Sequence, residues 1–180
     1  MRRTAALALS ALLLSASPAA FAATVPPVTV TIGADLQSKA DKSYGVRELA
    51  DLSAQLRHDV ERAFARASAA PVQRVDLVIE SATPNRPTFK QLKRIGLSLN
   101  SIGLGGASIS GTVTTADGKT TPVSYHWYET DLRNEYGLVT WSDAYRAFDR
   151  FAGHIARGDL PAQAKYTPDR DAGDFGRWLR

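Results

Sequence analysis

The strongest constraint on the fold is a run of apolar residues at helical spacing between Val46 and Ala67. These residues recur every three or four positions, so they share one sector of a 3.6-residue helix. They are Leu49, Leu52, Leu56, Val60 and Phe64. Polar residues such as Arg57 and His58 fall on the opposite side. A long helix with one apolar face is stable only when that face packs against another layer, so the rest of the chain must supply that layer.

A second helix with one apolar face is predicted to begin near Trp141-Ser142. Thr140 or Ser142 can cap its amino end, and Gly158 followed by Pro161 is typical of a helix terminus. Its apolar positions are Trp141, Ala144, Phe148, Phe151, Ala152 and Ile155. The chain therefore carries two helices that need the same kind of partner layer.

That layer is predicted to be a β-sheet built from four segments: Val28–Ile32, Val75–Ile79, Ala107–Thr115 and Thr121–Glu129. The first alternates apolar and hydroxyl residues, which indicates a strand with one buried face. The second is almost continuously apolar, which is typical of a central strand. The last two flank the turn sequence Asp117-Gly118 and predict a hairpin.

The remaining segments are predicted to be loops. Gly33–Gly45 is polar, and Ser81–Pro87 contains two prolines. The resulting order, β-α-β-β-β-α, predicts an α+β fold. We expect a two-layer sandwich with a mostly antiparallel four-stranded sheet and two amphipathic helices packed on one face.

The turn at Asp117-Gly118 leaves two registers open for the hairpin. A two-residue loop pairs Ile109 with His126 and turns the aromatic side of the fourth strand away from the face of Ile109. A three-residue loop that extends to Lys119 pairs Ile109 with Trp127 instead. Because a slip of one residue reverses every side chain, burial favours the second register.

Residues 1–22 have the three parts of a secretory signal peptide. Arg2 and Arg3 provide the positive start, Ala5–Leu14 is apolar apart from one serine, and Ala20-Phe21-Ala22 offers small residues before a cleavage site. The apolar part is shorter than the ~20 residues that a membrane-spanning helix needs. We therefore predict a periplasmic or secreted protein, cleaved near Ala22, with no transmembrane segment in the mature chain.

The mature chain is predicted to contain a single domain, residues 23–158, and a charged tail, residues 159–180, in which Phe175 and Trp178 can dock onto the body. The absence of cysteine excludes disulfides, thiolate metal sites and thiol nucleophiles. Without the two leader arginines the formal charge falls from +4 to +2, which gives no support for nucleic-acid binding.

The element order between Val28 and Arg157, together with the export signal, resembles the small α/β domains of periplasmic accessory proteins. Transport auxiliary lipoproteins and outer-membrane assembly lipoproteins are the families in question. Those families carry a lipobox cysteine, and this chain has no cysteine. The resemblance implies an envelope accessory role and transfers no functional residue.

Residues with catalytic or metal-binding chemistry are sparse. His126 with Glu129 and Asp131 is compatible with a mixed metal site at a strand end, but polar residues bordering an edge strand explain the same pattern. The glycine run Gly103–Gly106 matches a phosphate loop in letters only, because a strand follows it where a helix is required. We assign no catalytic, cofactor-binding or metal-binding residue and no cofactor.

Two surfaces are candidates for partner binding. His126 and Tyr128 lie on the aromatic fourth strand, whose edge is available to a strand from an envelope protein unless the tail covers it. Arg146, Arg150 and Arg157 fall within about 40° on the second helix, which predicts either a solvated basic face or a strip that binds an anion or a partner. The protein is expected to be a monomer or a weak oligomer.

Together these patterns favour a non-enzymatic binding or accessory protein of the periplasm or cell envelope. The alternative is a small hydrolase or a metal-dependent enzyme whose site is assembled from dispersed polar residues. An enzyme would need a convergent polar pocket whose groups have perturbed pKa values.

Overall fold

A computed structural model describes residues 25–67, 72–93, 96–135 and 139–164 of the chain. The predicted signal peptide and most of the predicted tail, including Phe175 and Trp178, lie outside these residues. The fold is α+β. Its strands are β1 (Val28–Ile32), β2 (Val72–Thr83), β3 (Gly106–Thr115) and β4 (Thr120–Tyr128), and its helices are α1 (Ala34–Lys39), α2 (Arg47–Arg66) and α3 (Ser142–Ala156). Short 3-10 turns cover Gln91–Lys93 and Leu132–Glu135.

The four strands form one open sheet in the order β1-β2-β3-β4. β1 pairs with β2 in parallel, whereas β2–β3 and β3–β4 are antiparallel. The sheet is therefore mixed, with one parallel pair among the three. The parallel pair follows from the chain between β1 and β2, where α1 and α2 carry the chain back to the starting end of the sheet.

The predicted loop at Gly33–Gly45 is wrong, because this segment is helical. α1 continues into one π-helical turn at Ala40–Tyr44. Leu36, Ala40 and Tyr44 are buried, and their spacing of four places them on one helical face. The polar residues between them hid this short stripe from the sequence analysis.

β2 is longer than predicted. It continues through Ser81 to Thr83, where the prolines indicated a break, and pairs there with the start of β3. A register shift between Ile79 and Ser81 marks an irregularity in the ladder. Two nearby prolines, Pro84 and Pro87, follow the strand instead of interrupting it.

The hairpin between β3 and β4 confirms the predicted faces and corrects the predicted pairing. Ile109 pairs with Tyr125, two residues away from the favoured partner Trp127. The loop has three residues, but they begin at Ala116, and Gly118 takes the left-handed conformation with φ +84°. This arrangement is common in three-residue hairpins. A shift of two residues preserves the faces, so Tyr125 is buried on the side of Ile109.

Both predicted apolar stripes lie in the core. All five stripe residues of α2 and all six of the second predicted helix are buried. α2 contacts β1 and α3, and α3 contacts β3 and β4. One of these contacts joins the rings of Tyr125 and Phe151, whose centroids are 5.9 Å apart. Within the described ranges, no helix is both long and apolar enough to cross a membrane.

Candidate functional site

A groove of about 320 Å³ runs between α2 and α3 on the surface of the domain. Its lining is dominated by ionisable side chains: Asp59, Arg62, Arg66, Asp149, Arg150, His154 and Arg157, with Ala63 and Gly153 between them. The two helices run in the same direction, since Trp141 at the start of α3 donates to Glu48 at the start of α2, and Arg62 farther along α2 contacts Asp149 farther along α3. Four arginines thus line one concave surface.

Inside the groove, the guanidinium group of Arg62 lies between two carboxylates. The Arg62 Nη2 atom lies 2.7 Å from Asp59 Oδ1 and 3.1 Å from Asp149 Oδ1. Asp59 is buried and also accepts a hydrogen bond of 2.9 Å from Gln55 Nε2. Burial raises the pKa of Asp59, while Gln55 and Arg62 act in the opposite direction. Arg62 therefore joins the two helices and is not available to a ligand.

The other three arginines of the groove differ from Arg62 in their contacts. The Arg150 guanidinium lies 4.7 Å from the centre of the Trp127 ring on β4, a cation–π geometry. Arg66 and Arg157 are exposed and make no ion pair within the described part of the chain. His154 is paired with Asp159, at 2.5 Å. The positive charge open to a partner is concentrated at Arg66 and Arg157.

The outer edge of β4 is partly occupied by the chain itself. The Ser124 amide donates to Pro161 O (2.8 Å), and Gln163 N donates to Ser124 O (2.9 Å). The Gln163 side chain also accepts a hydrogen bond of 2.7 Å from the His126 amide. The segment after α3 therefore covers this part of the edge. The sequence analysis gave coverage by the tail as the alternative to a partner strand. The residues that cover the edge, however, precede Phe175 and Trp178.

The predicted surface residues do not form one site. Tyr128 is half-buried, and its hydroxyl lies 2.7 Å from Ser81 Oγ. His126 lies on the face of β4 opposite Tyr125, as predicted. Arg150 and Arg157 line the groove, whereas Arg146 lies at the other end of α3.

Arg146 belongs to a buried polar cluster beside the start of α3. Its Nη1 atom lies 3.2 Å from Asp143 Oδ1 and 3.7 Å from Glu129 Oε2. Asp143 is fully buried, and its Oδ2 atom accepts a hydrogen bond of 3.0 Å from the Gly105 amide. Backbone amides of Thr130 and Asp131 hold Glu129 and lower its pKa against the effect of burial.

Glu135 completes this cluster. Burial disfavours the ionised form of its carboxyl group. Its side chain is fully buried, and among the described residues neither carboxyl oxygen has a hydrogen-bond donor. Burial raises its pKa to about 7, and contact with Asp143 adds to the effect. A protonated Glu135 can donate to Asp143, whereas two ionised carboxylates would repel each other. Both side chains are closed to solvent.

The metal hypothesis finds no geometric basis. No group of three or more His, Asp or Glu residues in the described ranges is arranged to hold a metal ion. Glu129 and Asp131 instead bind neighbouring backbone amides and Arg133. The glycine run leads into β3, as predicted, and Gly105 approaches Thr83 and Asp143 so closely that a side chain would clash.

Sequence reasoning missed Arg62, Arg66 and the buried acids Asp59 and Glu135. Arg62 and Arg66 lie four residues apart and so share one side of α2. That spacing was visible in the sequence, but the opposing helix was not. No sequence pattern marks Glu135, because its burial depends on the packing of a short 3-10 turn against α3.

No protein-family model matches this chain, and no curated protein matches it. Among solved structures, a 2.35 Å crystal structure of a minor lipoprotein from Acinetobacter baumannii is similar. The two are 17% identical, over 78% of this chain and 98% of that one, with a TM-score of 0.29. A lipoprotein belongs to the class that the element order resembles, but this TM-score does not establish a shared fold and carries no argument about function.

Proposed function

We propose that the protein is exported, cleaved near Ala22, and acts in the periplasm or cell envelope as a non-enzymatic accessory protein that binds an acidic segment of a partner. Its architecture is two layers with both helices on one face of the sheet, and the contacts of α2 with β1 and of α3 with β3 and β4 support this. The observation that carries the function is the arginine-lined groove between α2 and α3.

The spacing of the cations favours an extended partner over a single small anion. Arg66 and Arg157, which make no ion pair among the described residues, lie on different helices, and Arg150, held over the Trp127 ring, is about 10 Å from Arg157 along α3. Arg66 and Arg157 also lie where both helices end, and the negative ends of two helix dipoles oppose one concentrated anion. Carboxylates spaced along an extended segment of the partner would each contact a different arginine and would keep part of their hydration.

The carboxyl cluster gives no support to the enzyme alternative. Glu135 has the perturbed pKa that an active site requires. However, Glu135 and Asp143 are fully buried, so the convergent open pocket that an enzyme needs is missing from this position.

The groove is tested with the double variant R66Q/R157Q and a fluorescein-labelled hexaglutamate peptide, with binding followed by anisotropy at low and physiological salt. We expect the two substitutions to weaken binding between about two- and thirtyfold, the range for two exposed ion pairs. The control R57Q/R74Q removes the same charge from exposed positions outside the groove. If the control loses as much affinity, the attraction is non-specific and the groove is not the site.

The edge of β4 is a second proposed contact for an envelope protein, through displacement of the segment at Pro161–Gln163. A chain that ends at Arg157 leaves the Ser124 amide and carbonyl without these partners. We expect this truncated chain to self-associate in analytical ultracentrifugation while the full chain stays monomeric. A truncated chain that remains monomeric, and whose Tyr128→Lys variant binds envelope proteins unchanged, refutes the edge proposal.

A further inference from the structure

Exposed large hydrophobic side chains are concentrated at one end of the molecule. Among the described residues, five such side chains lie in the loops next to the starts of α2 and α3 and the end of β2. They are Val46, Phe89, Leu99, Leu132 and Val139. The sixth, Val25, precedes β1 at the opposite end of the sheet. We call the surface formed by these five residues and the described residues next to them the loop end.

Hydrogen bonds tie the separate loops of the loop end together. Arg86 donates to Leu99 O at 3.2 Å and to Glu135 O at 3.3 Å. The backbone amide of Asn85 donates to Thr140 O at 3.0 Å. The Lys90 ammonium donates to Asp41 O, close to the start of α2. The exposed apolar residues are therefore carried by neighbouring loops that support one another.

Phe89 is presented to solvent by a rigid turn. The Thr88 amide donates to Gln91 Oε1 at 3.0 Å, and the Gln91 amide donates to Thr88 Oγ1 at 3.3 Å. Thr88 and Gln91 are both buried, while Phe89 between them is 82% exposed. This reciprocal pair resembles a helix capping box. The fold thus holds an aromatic ring outward on an ordered turn.

The exposed charge around these apolar side chains is mainly positive. Lys90, within the turn that carries Phe89, and Lys93, just after it, are both exposed. Among the neighbouring acids, Asp131 is paired with Arg133 at 2.6 Å and Glu129 faces Arg146, whereas the exposed Asp41 lies beside Lys90 and next to the exposed Lys42. An apolar surface that carries exposed lysines is complementary to an anionic lipid surface.

We propose that the loop end binds the surface of an anionic phospholipid bilayer, with Phe89 and Leu99 entering the interface and Lys90 and Lys93 contacting lipid phosphates. Phe89 is 82% and Leu99 68% exposed, so both side chains project from the surface instead of lining a groove. Projecting apolar groups suit a fluid interface, which needs no shape-complementary partner. This proposal does not depend on the groove between α2 and α3.

The proposal is tested by co-sedimentation of the exported protein with vesicles. Equimolar phosphatidylglycerol and phosphatidylcholine form the anionic vesicles, and pure phosphatidylcholine forms the neutral ones. We expect binding to the anionic vesicles and roughly thirtyfold weaker partitioning to the neutral ones, the effect of two lysines. K90Q/K93Q should lower partitioning to the anionic vesicles by a similar factor.

Two variants test the apolar contribution. F89S/L99S should lose at least about tenfold in partitioning, because two apolar side chains no longer enter the interface. V25S is the matched control, since it removes an exposed apolar side chain at the other end of the sheet, and it should bind like the wild type. Unchanged thermal melting shows that each variant is folded.

Either of two results overturns the proposal. One is a wild-type protein that stays in the supernatant with the anionic vesicles. The other is F89S/L99S bound as tightly as V25S. If the wild type ignores vesicles but cross-links to an envelope protein, and F89S/L99S loses that product, the loop end is a protein interface and the lipid proposal is wrong.

Discussion

Replacing Glu135 with glutamine is predicted to stabilise the protein above neutral pH and to remove part of its pH dependence. Glu135 is fully buried beside Asp143, and burial together with this neighbour raises its pKa from 4.5 to about 7. In the native protein the carboxyl group therefore holds its proton at pH values where the unfolded chain has already released it. The glutamine side chain is of similar size, carries no charge and can donate a hydrogen bond to Asp143.

The sign and size of the effect follow from proton linkage. Between pH 4.5 and about 7 the native state binds one more proton at Glu135 than the unfolded state does, so stability falls as the pH rises. A pKa difference of this size corresponds to a loss of about 3 kcal/mol across that window, reached in full above the native pKa. In Glu135→Gln this loss is absent. The value of about 7 already includes the opposing effect of Arg146, so Arg146 does not reduce the expected difference further.

The assay is urea denaturation followed by tryptophan fluorescence, at half-unit steps from pH 4.5 to 8.5. The difference in unfolding free energy between Glu135→Gln and the wild type reports the titration of Glu135 together with Asp143, the acid in contact with it, because the other titrating groups are common to both proteins. We expect this difference to grow with pH up to about 7 and then to level off. Glu61→Gln, at a half-exposed position of α2, controls for the loss of one carboxylate charge. A difference that stays constant across the range would falsify the assignment of Glu135 as a buried, proton-bearing group.

Two further substitution pairs test the core and the sheet. Leu56→Asp should unfold the domain, because a buried unpaired carboxylate costs several kcal/mol and total stability is only about 5–15 kcal/mol. His58→Ala, on the exposed side of α2, should leave the thermal melting curve by circular dichroism unchanged, and equal melting of both variants would place the core on the wrong face. Gly111→Ala should destabilise by more than about 2 kcal/mol, since its Cβ would lie 2.1 Å from Asp76 O. Gly118→Ala, in open space at φ +84°, should cost only about 1 kcal/mol; equal losses in urea denaturation would contradict this sheet packing.

The sequence was most informative where one periodicity extended over many residues. The stripes of the two long helices predicted their buried residues correctly, because burial of an apolar face dominates the energetics of a long helix. The faces of the hairpin were predicted for the same reason. The exact pairing of the hairpin was not predicted. Moving the partner of Ile109 by two residues, from Trp127 to Tyr125, preserves every face. The choice between these registers depends on the turn, where Gly118 alone takes the left-handed conformation.

Short elements and charged sites were not predictable in this way. The stripe of α1 and its π-helical turn has only three members, Leu36, Ala40 and Tyr44, too few to stand out against the polar residues between them. The groove requires knowledge that α2 and α3 lie side by side in the same direction, which no local pattern encodes. Asp143 lies three residues before Arg146 on α3, but Glu129 comes from the end of β4, so the burial of this cluster is evident only in the packed structure.

The groove and the loop end lie at opposite ends of α2, and this separation makes the two proposals independently testable. α2 has 20 residues and is therefore about 30 Å long, with Val46 at the loop end and Arg66 in the groove. The Debye length at physiological ionic strength is about 8 Å, so a bilayer at the loop end does not attract the arginines of the groove. R66Q/R157Q should accordingly lose affinity for hexaglutamate and keep the vesicle binding of the wild type, and F89S/L99S should do the reverse. If R66Q/R157Q weakens vesicle binding as much as K90Q/K93Q does, the lipid is responding to overall charge, and the domain has no oriented membrane contact.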